Sequence, residues 1–226
     1  MKVAVLALAT TAFSGLAFAA SAAQVKYFDV NFSPLNNSMV EAFARLTYKT
    51  FDSGDSRLSV ELTGSGFEPG AHAGHIHGFE DFEDSVAPTR DVFDPDTQGD
   101  KDGFTELAEG LPFYGGILLT FPGIEADASG NIDYSMSFDV MKGSFLDDAT
   151  YPLTGREIVL HGLTIPVDAG MGTDGEADGN NPTQEAFLPI AAGEIEISPV
   201  PLPAAGWLLI GAIGGLGGLR LRRRAA

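Results

Sequence analysis

The chain contains no cysteine among its 226 residues. That excludes a disulfide framework and every thiolate metal site. Basic residues are scarce, with 13 lysines and arginines against 31 aspartates and glutamates and a formal net charge of −18. Five of the 13 lie in the terminal segments, Lys2 at one end and Arg220, Arg222, Arg223 and Arg224 at the other. All the acidic residues lie between these segments. Nucleic acid is therefore excluded as a partner, because phosphate binding needs a basic surface. An acidic surface favours solubility, attracts cations and repels small anions. No internal repeat, Ser-His-Asp arrangement, phosphate-binding glycine loop or paired-carboxylate motif stands out. A glycosidase stays open only because its two carboxylates need meet only in space.

Histidine is also scarce, and the four present are informatively placed. Three occur in Gly70-Ala-His72-Ala-Gly-His75-Ile-His77-Gly78, and the fourth ends Thr154-Gly-Arg-Glu-Ile-Val-Leu-His161. Residues two apart in a strand point to one face. His75 and His77 can then aim two imidazoles at one point, and a second strand carrying His161 can supply a third nitrogen. Imidazole suits copper, zinc, iron and nickel. The plainer alternative is a chance H-x-H pair and a lone hydrogen-bonded histidine; the residues alone leave both open.

What the chain has in quantity is glycine (28), proline (13) and hydrophobic residues (44%). That mixture predicts many turns, few long helices and one good core. Strand-like runs cover Lys26 to Phe32, Ala42 to Phe51, Arg57 to Thr63, Gly74 to Gly78, Ile117 to Phe121, Ile132 to Val140, Glu157 to His161 and Glu194 to Ser198. Several alternate cleanly, as in Leu58-Ser-Val-Glu-Leu62 and Tyr134-Ser-Met-Ser-Phe138. Asp127-Ala-Ser-Gly-Asn131 is a tight-turn signal. The expected fold is one all-β domain over 24–198, a Greek-key β-sandwich or barrel of about eight strands. Two long acidic loops interrupt it, Phe79 to Gly116 and Asp168 to Pro189. Loops this long in a compact domain are functional or disordered.

Both ends read as processing signals. Met1-Lys2 precedes an apolar stretch, Val3 to Ala20, that ends in small residues, Ala17-Phe-Ala19 and Ala20-Ser-Ala22-Ala23. Residues 1–23 are thus expected to be a secretory signal peptide, with a retained anchor as the alternative. At the other end, Val200-Pro-Leu-Pro-Ala204 leads into an apolar span through Leu219 and then the arginine cluster. As a helix the span is about 24 Å long at ~1.5 Å per residue, short against a bilayer core of ~30 Å. The arginines would stay in the cytoplasm. Residues 199–226 resemble the VPLPA-type sorting tails of Gram-negative bacteria, relatives of the signals read by exosortases. The resemblance implies an exosortase-type partner and cleavage near the proline motif. It also implies anchoring in the inner membrane beforehand and delivery to the cell surface or extracellular matrix afterwards. A plain single-span anchor is the alternative.

Over roughly Arg57 to Ile197 the chain resembles the copper-zinc superoxide dismutase superfamily. That family carries a G-x-H-G-F-H-x-H turn and a later G-R-x-x-V-V-H strand, and the histidine spacing of both is kept here. Ala192-Gly193-Glu-Ile195 resembles the closing strand. The resemblance implies copper on His75, His77 and His161, with His72 hydrogen-bonding and orienting a ligand. It is incomplete: no histidine remains for the copper–zinc bridge or the zinc ligands, so no zinc site is expected. The cysteine pair is missing, and Pro189-Ile-Ala-Ala-Gly193 offers no arginine to guide superoxide. Chordin-type extracellular domains, which are not enzymes, share the H-I-H-G turn.

The first loop carries Gln98-Gly-Asp100-Lys-Asp102-Gly103-Phe104-Thr-Glu106-Leu-Ala-Glu109, which fits an EF-hand-type calcium loop from its third position onward. Gln98, Asp100, Asp102, the Phe104 carbonyl, Glu106 and Glu109 would supply the oxygens, and a solvated acidic loop is the alternative. The second loop, Asp168 to Asn181, matches no known spacing. Three functions follow as candidates: a copper redox enzyme of the dismutase kind, a copper-binding surface protein without turnover, and a structural or adhesive matrix protein stabilised by calcium.

Overall fold

The computed structural model describes residues 24–79, 104–166 and 186–199. The signal peptide, the sorting tail, Gln98, Asp100, Asp102 and nearly all of the second loop lie outside these residues. Among the described residues, no helix is long and apolar enough to cross a membrane.

The fold is an all-β, antiparallel half-barrel. In chain order its elements are β1 (Gln24–Asn31), β2 (Ser33–Pro34), β3 (Glu41–Thr50), β4 (Ser56–Ser65), β5 (Gly70–Gly78), α1 (Leu107–Tyr114), β6 (Gly116–Thr120), β7 (Ile124–Ala126), β8 (Ile132–Val140), β9 (Glu157–His161), β10 (Pro189–Glu194) and β11 (Glu196–Ile197). Their order across the sheet is β11-β1-β3-β4-β8-β7-β5-β9-β10-β2, with β6 also on β5.

The period-2 pattern builds the core. Leu58, Val60 and Leu62 of β4 are buried. They stand opposite Tyr48, Leu46 and Ala44 of β3 on one side and Phe138, Met136 and Tyr134 of β8 on the other. Each fully buried Leu or Val contributes about 1.5–3 kcal/mol. On the outer face Arg57 bonds Asp139 at 2.8 Å and Ser59 meets Ser137 at 2.8 Å. Such exposed pairs are worth about 0–1 kcal/mol, so they mark the register more than they hold the sheet. The expected turn forms: Asp127 Oδ1 accepts the N–H groups of Ser129 and Asn131.

β5 joins the two halves of the sheet. Its first residues pair β7 from Gly70 to His72, and its last pair β6 from His75 to Gly78. Its other edge pairs β9 over Ala73–His77. Gly74 sits at a crowded point of the strand, since a Cβ there would fall 2.6 Å from Ile124 Cδ1 and 3.1 Å from Leu160 Cδ2.

Three features depart from the sequence expectation. The strands number eleven among the described residues, because β2 and β7 are too short to leave a periodic signal and the expected closing run, Glu194 to Ser198, is divided between the end of β10 and β11. The closing strand begins at Pro189 instead of Glu194. Its chain pairs β9 up to Glu194 and then crosses at buried Ile195 to pair β1 through β11. The first long loop ends in a helix, α1. A capping box starts it, in which Glu109 Oε2 accepts the Glu106 N–H at 3.0 Å.

Candidate metal centre

The register of β5 against β9 builds the site. Ala73 stands opposite His161, His75 opposite Val159 and His77 opposite Glu157. Directly opposed residues share a face, so His75, His77 and His161 all project from the same side. Their ring centroids are 5.1 Å (His75–His161), 5.6 Å (His75–His77) and 6.2 Å (His77–His161) apart. One ligand nitrogen from each lies within 4.8 Å of the others. Nitrogens bound ~2.0–2.1 Å from one ion are at most about 4.2 Å apart, so small ring movements close the set. The site can bind a metal ion.

Hydrogen bonds orient two of the rings. His77 Nδ1 donates to the Gly115 carbonyl at 2.9 Å, and His161 Nδ1 donates to the Phe187 carbonyl at 2.6 Å. Each bond fixes the tautomer and leaves the Nε2 lone pair facing the centre. His77 Nε2, His161 Nε2 and His75 Nδ1 are buried and have no hydrogen-bond partner. Buried polar atoms are nearly always partnered, and three converging lone pairs are what a cation satisfies.

Burial keeps these rings neutral. It pushes His161 down to about 3, with the His75 and His77 charges adding, and His77 down to about 4. It also lowers His75. Neutral imidazoles are the metal-binding form.

His72, the remaining histidine of the run, stays outside the triad. Its Nδ1 lies 2.9 Å from the His161 carbonyl oxygen and its Nε2 lies 2.7 Å from that of Glu68. The ring packs edge-on against Phe67 at 5.2 Å.

The structure adds residues that the motifs did not single out. Tyr114, the last residue of α1, is fully buried and packs edge-on against His77, with centroids 4.6 Å apart. It lies in the stretch read as loop, so periodicity gave no sign of it. Glu157 is buried on the same face as the triad. Burial and then the Glu194 charge push its carboxyl up to about 8. Its alternation with Val159 and His161 was a usable signal. Of the calcium residues, Glu106 and Glu109 are buried at the start of α1 and Phe104 is half-buried before it.

No curated protein and no known family matches the chain. Among solved structures it is similar to that of the clock protein EA4, with 17% identity over 76% of this chain and 95% of that one and a TM-score of 0.36. At that score the two folds agree only loosely.

Proposed function

We propose that the chain is an exported protein of the cell surface or matrix that holds one copper ion on His75, His77 and His161. Its kinship is with the copper-zinc superoxide dismutase superfamily, without that family's efficient turnover. The observation that carries the reading is the convergence of three buried, unpartnered imidazole nitrogens. Copper is favoured because imidazole ligands suit it and because the resemblance to the copper-zinc superoxide dismutase superfamily implies copper on these histidines. Weak turnover follows from the sequence: no histidine is left for a bridge, and the acidic chain repels a small anion. Export and exosortase processing rest on the two terminal segments.

Copper titration of the full-length chain, read by electron paramagnetic resonance, tests the centre. One nitrogen-coordinated Cu(II) per chain, lost in His161→Ala, is expected, together with little superoxide consumption. Absence of a specific Cu(II) signal overturns the reading. Calcium on the Gln98–Glu109 loop is a separate part of the proposal, and an unchanged melting temperature on calcium addition overturns that part.

A further inference from the structure

Tyr114 is placed for more than packing. Its ring is wholly buried and touches the ring of His77, 4.6 Å between centroids at an interplanar angle of 67°. The carbonyl of its neighbour Gly115 accepts the His77 Nδ1–H. The end of α1 therefore grips one metal ligand through two adjacent residues. The other side chains around the triad include Val159, which cannot be oxidised readily, and Glu157. A phenol in contact with a metal-bound imidazole can pass an electron over a very short distance.

We propose that Tyr114 is an electron donor that protects the three histidines when the reduced centre meets hydrogen peroxide. This rests on the copper reading. Hydrogen peroxide takes one electron from Cu(I) and one electron with a proton from the phenol. Its O–O bond breaks, and the products are hydroxide, water, Cu(II) and a neutral tyrosyl radical. Without the phenol, the second oxidising equivalent falls on the imidazoles. A phenol carries its O–H at neutral pH, so the hydrogen it gives up is available.

The full-length chain is loaded with Cu(II), its spectrum recorded, reduced with ascorbate and mixed with hydrogen peroxide. A tyrosyl radical is expected, narrowed when the protein carries ring-deuterated tyrosine, and a spin-trap adduct is expected on the peptide containing Tyr114. Tyr114→Phe is expected to keep the Cu(II) spectrum, lose the radical and show several-fold more oxidised histidine by mass spectrometry. A trap adduct located on another tyrosine, or equal histidine oxidation in both proteins, overturns the proposal. Wild-type chain without a histidine-coordinated Cu(II) spectrum overturns the copper reading, and the proposal with it. The trapping measurement needs no variant, so it stands if Tyr114→Phe folds poorly.

Discussion

His72 Nδ1 lies 2.9 Å from the backbone carbonyl oxygen of His161. The histidine that stays out of the triad thus holds the strand end that delivers the third ligand. Outer partners of this kind are worth about 10–100-fold in metal affinity. His72→Ala is expected to weaken copper binding by that order while keeping the three-nitrogen spectrum, whereas His161→Ala loses it. Wild-type affinity in His72→Ala would show that the ring only packs.

Gly162 makes that contact possible. It has φ +105, and a Cβ there would lie 2.8 Å from His72 Nδ1. Gly162→Ala is expected to cost about 1–3 kcal/mol from backbone strain and to displace the His72 ring. Thermal melting of the metal-free chain measures the first effect and copper affinity the second.

Metal binding should stabilise the fold. A ligand that binds only the folded state contributes about 2.7 kcal/mol at a hundred times its Kd. Copper is expected to raise the melting temperature, a chelator to reverse the rise, and His161→Ala to abolish it. An equal rise in the variant would place the ion elsewhere.

The metal-free chain should be most stable near pH 6.5. His77 and His161 are depressed from 6.5 to about 4 and about 3. Below 6.5 the unfolded state holds protons that the folded state has released, so stability falls as the pH drops. Glu157 is raised from 4.5 to about 8. Its contribution is complete below 4.5 and is lost as the pH rises through 8. Between 4.5 and 6.5 the two histidines outweigh the one carboxyl; from 6.5 to 8 the carboxyl acts alone, at about 1.4 kcal/mol per pH unit. Denaturant midpoints across pH 5 to 9 measure both arms. Glu157→Gln is expected to flatten the alkaline arm, and parallel curves above pH 7 would refute its assignment to Glu157.

Strand runs are legible where their pattern is local. β8 is found over the expected residues, the alternating Ile132–Val140, and β9 over the short, wholly buried run Glu157–His161. The closing strand was misread because Glu194 to Ile197 alternates while changing partners, and partner choice leaves no periodic trace. The helix α1 was missed because its capping box uses Glu106, an uncommon cap, within an acidic stretch.

The sequence by itself determined the all-β class, the absence of thiolate chemistry and the shared face of His75 and His77, since composition and period-2 spacing are properties of the chain alone. Tertiary structure decided that His161 joins them. That requires the register Ala73 to His161 between β5 and β9, a pairing across a long stretch of chain that hydrogen bonding and core packing select together. It also decided that Gly115, Phe187 and Tyr114 close around the rings, because those contacts exist only once distant segments are folded onto one face.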